Sequence, residues 1–380
     1  MSTVTDLLAT LVAMPTITAD IPANELALDF IEQYLAARGM HCRRHTYKGR
    51  TSLTASTRKE NHKNPTVLLA AHNDVVPGDE SQFTLHEADG KLYGRGVYDM
   101  KFATASYLQL VDDLAQAGTL AQYDFGLMVT ADEEANMDSS VEYLVGAGFR
   151  AGVVLLPDST APGWEMEKIA KGWWRFDLLA TGKSVHGSRP WEGESASIKL
   201  IHALHELKEH FKDHGPPTDS LNIGSIHGDG VYNRVPDRMA AKVEIRLADE
   251  TSSAKNKQLI DKLCAKHNVQ YETFSLIEPV RPIVNVPLVD TFKDVVEQTT
   301  GKRPEGFVSL GGSDAPYFTK AGVPCILSCP MGGGHHSGEE WVSKASFLQF
   351  VPMLHTFLEQ TAKHPTSSAA ASVDTAGSLV

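Results

Sequence analysis

Three short runs of almost unbroken apolar residues constrain the fold of this chain more than any other feature. Residues 66–71, 125–130 and 151–156 lack the polar alternation of a half-exposed strand, so each reads as a strand covered on both faces. Helical stretches lie between them near 100–117 and 138–147. Residues 24–38 space their apolar side chains for a further helix, with Gly39 placed to end it. Strands alternating with helices predict an α/β domain, with a central mixed sheet flanked by helices.

The pattern changes near residue 172. A strand at 173–181, a helix at 195–214, strands at 222–226 and 237–247, a helix at 253–267 and a strand at 270–275 read as an inserted α+β sandwich. After Pro282 the α/β pattern resumes, with a helix at 287–299, a turn at Gly311-Gly312, a strand at 323–328 and a closing helix at 342–362. The expected division is a discontinuous first domain, 1–171 with 283–364, and a second domain, 172–282. A length of 380 residues suits about two domains. Residues 365–380 are rich in Ser and Ala without periodicity and read as a disordered tail.

Composition excludes several functions. A net charge of -12 argues against nucleic acid as a partner. No window approaches the ~18 consecutive apolar residues of a membrane span, and the first twelve residues lack the pattern of a secretory signal. Four scattered cysteines, Cys42, Cys264, Cys325 and Cys329, do not make a disulfide framework, so a reducing, cytoplasmic setting is expected. Cys325 and Cys329 flank an apolar run and read as buried thiols rather than ligands.

Chemistry gathers where the expected strands end. His72-Asn73-Asp74 follows the first run, Asp132-Glu133-Glu134 the second and Asp158 the third. Asp99 precedes the 100–117 helix, and His335-His336 follows the 323–328 strand in a Gly-rich loop. Each piece alone has a bland reading: a solvated Glu pair, an Asp that caps a helix, a mobile His-Gly loop. Their joint placement at the carboxyl ends of one sheet, where open α/β folds build ligand sites, points to a divalent metal centre. Imidazole with carboxylate and no thiolate suits zinc and similar ions.

The motifs His72-x-Asp74, Gly94-x-Gly96-x-x-Asp99-Met100-Lys101, Asp132-Glu133-Glu134, Gly182-x-x-x-His186, Asn233-x-x-Pro236-Asp237, Gly311-Gly312-Ser313-Asp314 and His336-x-x-x-Glu340 occur in this order. Together they resemble the two-zinc amidohydrolase and peptidase family of acetylornithine deacetylase, succinyl-diaminopimelate desuccinylase, aminoacylase, carboxypeptidase G and related dipeptidases. The resemblance covers residues 3 to 362. It implies two zinc ions per chain, with cobalt or manganese as possible substitutes, bridged by Asp99. His72 and Asp158 would complete one site, and Glu134 and His336 the other. Asp74 would accept the free ring N–H of His72, and Glu133 would be the general base. The resemblance also implies a cis bond between Asp99 and Met100, and a homodimer formed through the inserted domain, which doubles as a lid.

In that domain His186 is either an exposed loop histidine or a donor to the scissile carbonyl, reaching the metal site of a partner chain. Asn233 and Arg246 match positions that hold a substrate carboxylate, for which a guanidinium fork is suited. Arg246 has the alternative of a plain surface strand residue, and Arg189 is a weaker candidate. Ser313 stands where a hydroxyl or backbone N–H groups would serve the same carboxylate.

Three positions depart from the family pattern. Asp158 replaces a common Glu, and Asn136 replaces a common Gly. The segment Lys171-Gly172-Trp173-Trp174-Arg175 carries two tryptophans and gives no evident place to the basic residue expected of the desuccinylase, which disfavours a succinylated diacid. Alternation allows only one of these tryptophans to face a pocket. The expected substrate is a small N-acyl amino acid or short peptide with a free carboxylate. Deacylase, dipeptidase and carboxypeptidase remain open. The alternatives are a deacetylase of an acetylornithine-like intermediate and a non-catalytic binding member of the fold.

Overall fold

The computed structural model describes residues 3–134, 139–160, 163–211, 218–228, 230–309 and 311–362. Its largest sheet has six strands, in the order His41–Tyr47, Arg50–Ser56, Phe125–Thr130, Val67–His72, Val153–Leu155, Cys325–Ile326. The first two pairings in this order are antiparallel, and the last four strands run parallel to one another. The sheet is therefore mixed. Every residue of the Val67–His72, Phe125–Thr130 and Val153–Leu155 strands is buried, which accounts for their unbroken apolar sequence. The Lys101–Gln116 helix packs on this sheet between the Val4–Val12 and Phe350–Ala362 helices, and its burial extends around most of its circumference.

Parallel register aligns the strand ends. His72 pairs with Thr130, and Leu69 pairs with both Leu127 and Leu155. The residues that leave these strands, 72–74, 132–134 and 158, consequently emerge at one edge of the sheet.

A second sheet has four antiparallel strands, in the order Ser220–Gly228, Arg238–Leu247, Gly172–Thr181, Val269–Ile277. Trp174, Phe176, Leu178 and Ala180 point to the Ala196–His210 and Ser252–His267 helices and form an apolar cluster that shares no residue with the larger one. The intervening residues of the same strand, Trp173, Arg175 and Asp177, lie on the opposite face, as period two requires.

Two expectations near the end of the chain are corrected. The 323–328 strand is only Cys325–Ile326, and the 342–362 helix is three elements: a Trp341–Ser343 strand, then Lys344–Leu348 and Phe350–Ala362 helices. The strand forms because Trp341–Ser343 pairs with distant Lys91–Tyr93, and Ser343 caps the following helix by accepting from the Ser346 N–H. This pairing belongs to a small sheet, Gly332–Gly333, Trp341–Ser343, Lys91–Tyr93, His86–Ala88, which brings the loop of His336 beside the loop of Asp99. No helix among the described residues is long and apolar enough to cross a membrane. Asn136 and the 365–380 tail lie outside the described residues.

Candidate metal centre

Asp99 sits between two imidazoles. Its Oδ1 lies 3.1 Å from His72 Nε2, and its Oδ2 lies 3.3 Å from His336 Nε2. His336 Nε2 is also 3.0 Å from a Glu134 oxygen. Two overlapping groups result, His72–Asp99–Asp158 and Asp99–Glu134–His336, each with its ligand atoms within 4.8 Å of one another. Asp158 Oδ2 is buried and, among the described residues, has no hydrogen-bond partner. A buried carboxylate oxygen without a donor is costly unless a cation meets it, so the donor set fits a divalent ion.

Local structure explains how these side chains converge. Gly96 has a φ of +82°, and a Cβ there would come within 3 Å of Val75 and Lys101, so the loop before Asp99 needs glycine. Glu340, almost fully buried, gathers that loop from the other end of the chain. It accepts from the backbone N–H groups of Gly96, Tyr98 and Asp99 at 3.0–3.1 Å, and from Arg95 Nη1 at 2.9 Å. Lys101 is wholly buried, donates to the Leu11 and Met14 carbonyls at the end of the first helix, and is pushed down to about 7 by burial. The Asp99–Met100 peptide bond is cis.

Asp74 ties three elements together. The His72 Nδ1 lies 3.0 Å from the Asp74 main-chain carbonyl and 3.5 Å from its Oδ1, so backbone and carboxylate share the orienting task. The carboxylate also accepts from Thr18 Oγ1 at 2.8 Å and from the backbone N–H groups of Glu133 and Glu134 at 3.2–3.3 Å. Electrostatics follow the crowding of acids. Burial, then Asp158, pushes the Glu133 carboxyl well above the usual range, and burial raises Asp158 and Glu134 as well. Hydrogen bonds to Asp99 and Glu134 lift His336 to about 10.

A cavity of about 330 Å³ opens on this cluster, with Asp99, Glu133, Glu134, Asp158 and His336 on one side. Trp173, Arg175 and Arg246 of the second sheet line the other. Arg246 therefore shares the cavity with the acids. Ser313 is buried in an adjoining cavity of about 320 Å³ that also touches Glu133 and Trp173. His186 and Asn233 line neither cavity. They are exposed and held side by side, the Gly187 N–H donating to the Asn233 carbonyl at 2.7 Å, with His186 Nδ1 2.8 Å from Ser188 Oγ. Arg189 is exposed, with Glu192 3.7 Å away. Cys325 and Cys329 are fully buried, Cys329 Sγ lying 3.1 Å from Tyr98 Oη, and none of the four cysteines forms a disulfide among the described residues.

Sequence reasoning assigned no role to three residues here. Glu340 was visible only as the end of a motif. Glu167, buried on the cavity wall with Ser159 Oγ 2.6 Å away and pushed up to about 7 by burial, carries no local signal. Arg175 is legible from alternation, since it shares its face with Trp173 two residues earlier.

Comparison with known proteins bears on the same residues. The profile described as Peptidase family M20/M25/M40 matches residues 68–360. The succinyl-diaminopimelate desuccinylase of Rhodospirillum centenum is 28% identical over 373 residues, 92% of this chain and 95% of that protein. The enzyme of the same name from Stenotrophomonas maltophilia is 27% identical, over 93% of this chain and 98% of that protein. Among solved structures, a tripeptidase from Staphylococcus aureus superposes with a TM-score of 0.78 at 18% identity, covering 95% of this chain and 98% of its own. An M20 family metallo-carboxypeptidase from Sulfolobus solfataricus gives 0.78 at 16% identity, covering 96% and 100%. Human carnosine dipeptidase 1 gives 0.71 at 16%, covering 95% and 96%. At these identities the structural likeness speaks for the fold.

Proposed function

The chain belongs to peptidase family M20/M25/M40 and is a metal-dependent hydrolase of amide bonds, and from that premise we propose that it cleaves an N-acyl amino acid or short peptide next to a free carboxylate. The observation that carries the proposal is the Asp99 carboxylate, one oxygen facing each of His72 and His336, with half-buried Glu133 in the same cavity as Arg246. In this reading His72, Asp99 and Asp158 would hold one zinc, and Asp99, Glu134 and His336 the other. When bound, the two ions supply Lewis acidity toward the scissile carbonyl and toward the attacking water.

The remaining steps fall to the chain itself. Glu133 takes the proton of the water and returns it to the leaving amine, a role its place in the same cavity as Asp99 supports. Arg246, Asn233 and Ser313 hold the substrate carboxylate. His186 donates to the developing oxyanion of a partner chain's site, which its exposed position outside its own cavity supports. The separate apolar cluster of the second sheet supports reading residues 172–282 as a lid and dimerisation domain and the remainder as the catalytic domain. Four cysteines without a disulfide among the described residues are compatible with a reducing, cytoplasmic setting.

The test is a panel of N-acyl amino acids and di- and tripeptides incubated with zinc-loaded protein. Hydrolysis of at least one member, abolished by a chelator and restored by zinc, is expected. A metal-loaded protein that turns over nothing on such a panel would leave the binding-only alternative standing.

A further inference from the structure

Arg175 stands on the cavity wall with no role assigned to it, and its surroundings specify one. On the outer face of the second sheet Arg175 pairs across the ladder with Glu244, and Trp173 pairs with Arg246. Both guanidiniums bond to the same carboxylate: Arg175 Nε to Glu244 Oε2 at 2.6 Å, and Arg246 Nε to Oε1 at 2.8 Å. Each also lies over the Trp173 ring, with its central carbon 5.3 Å and 5.8 Å from the ring centroid. Burial raises the Glu244 carboxyl, but the two arginines together outweigh it and hold it below the usual range.

Two consequences follow. Because each arginine spends Nε on Glu244, its terminal Nη groups stay available, and among the described residues no hydrogen bond engages them. And one carboxylate against two guanidiniums leaves a single positive charge in a cavity also lined by five carboxylates, Asp99, Glu133, Glu134, Asp158 and Glu167. Arg175 and Arg246 are the only Lys or Arg side chains among the described residues lining the cavity. A carboxylate entering the cavity meets complementary charge and geometry at the arginines.

We propose that Arg175 and Arg246 form a two-guanidinium clamp for the single substrate carboxylate, with Glu244 as the positioning residue that fixes both planes. The proposal rests on the functional reading above, which assigned the carboxylate to Arg246, Asn233 and Ser313, and it adds Arg175 as a specificity-determining residue.

Equilibrium binding separates the clamp from catalysis. The zinc-loaded Glu133→Gln protein is titrated calorimetrically with N-acetyl-L-alanine and with N-acetyl-L-alaninamide, which differ in the carboxylate alone. The preference for the acid should fall about 10–100-fold in Arg175→Gln, as expected for loss of a charge-assisted hydrogen bond. Arg246→Gln should lose a similar factor. The double variant should lose less than the product of the two, because both arginines grip one group. Arg175→Lys, which keeps charge without the fork, should recover only part. If Arg175→Gln weakens acid and amide equally, or changes neither, Arg175 is a structural partner of Glu244 and the clamp is wrong. The two readings fail separately: a carboxylate preference that depends on Arg175 in a protein that hydrolyses no panel member would keep the clamp and remove the enzyme reading.

Discussion

The metal cluster and the His186 loop carry the two halves of the proposed chemistry, yet they are built in opposite ways. Around Asp99 most groups are shielded from solvent and cross-bonded, with the His336 ring half exposed: His72 to Asp74 and Asp99, Asp74 to three donors, Asp99's own N–H to Glu340. His186 is exposed, and its ring meets Ser188 within its own loop. A preorganised cluster can act as it stands, because its geometry does not wait on substrate. An exposed donor acquires a fixed geometry only when something docks against it. On the proposed function, one half of the site is folded into the chain and the other is assembled by dimerisation and closure.

The comparison breaks most sharply at Glu133. Glu133→Gln should lower kcat by ~10²–10⁴-fold while leaving zinc content near normal; Asp99→Ala should lose most of both ions by elemental analysis. A Glu133→Gln enzyme with wild-type turnover would remove this residue from proton transfer. Full metal content in Asp99→Ala would undo the bridging assignment.

His186→Ala should cost ~10²–10³-fold in kcat, the scale of one oxyanion donor. Mixing it with Glu133→Gln under confirmed subunit exchange tests where it acts. If the donor crosses the interface, each heterodimer contains one complete site, from one chain's Glu133 and the other's His186. Recovered activity should approach half that of wild type per heterodimer. No recovery on mixing would confine His186 to its own chain and dissolve the contrast drawn here.

The rigidity of the buried half rests on Glu340. Glu340→Ala leaves Arg95 buried without its partner and frees three backbone N–H groups, so stability should fall by about 3–5 kcal/mol in urea denaturation, and zinc affinity with it. His186→Ala, at an exposed site, should unfold within about 0.5 kcal/mol of wild type. Equal stabilities for the two variants would show that the loop before Asp99 does not depend on Glu340.

The smallest effect is a pH dependence remote from the metals. Burial, with Arg43, His45, His41 and Lys63 around it, holds His62 at about 4, and its Nε2 meets Thr54 Oγ1 at 2.7 Å. The unfolded chain takes up this proton near the ordinary histidine value of ~6.5. The stabilisation is therefore complete above that pH and is lost as pH falls through it toward 4, by roughly 1–3 kcal/mol. The stability difference between wild type and His62→Gln should change by this amount across the window. A constant difference would show that His62 titrates normally in the fold.

Much of the buried half is legible along the chain. Unbroken apolar runs mark the central strands, and a His or acid just beyond each marks the sheet edge. Arg175 is also legible, but only once the register of its strand is known, since Trp173 and Arg175 must share a face and Trp174 must leave it. Glu340 and Glu167 are not legible in this way. A glutamate becomes an organiser of Asp99's loop only when Trp341–Ser343 pairs with Lys91–Tyr93, and nothing local distinguishes that short strand from the start of a helix. Gly312 is similar: a Cβ there would lie 2.2 Å from the Trp173 ring, a demand set by a residue 139 positions away.

By itself the sequence determined the alternation of helix and strand, the inserted sandwich and the residue types gathered at the strand ends. Periodicity and punctuation are local properties, expressed within one element and its turns. The tertiary structure alone decided which oxygen of Asp99 faces which histidine, that Asp74 shares the orientation of His72 with its own backbone, and that Arg175 and Arg246 meet on Glu244. These are contacts between elements far apart in the chain. Their geometry is set by strand register and by the few pairings that satisfy every buried polar group at once.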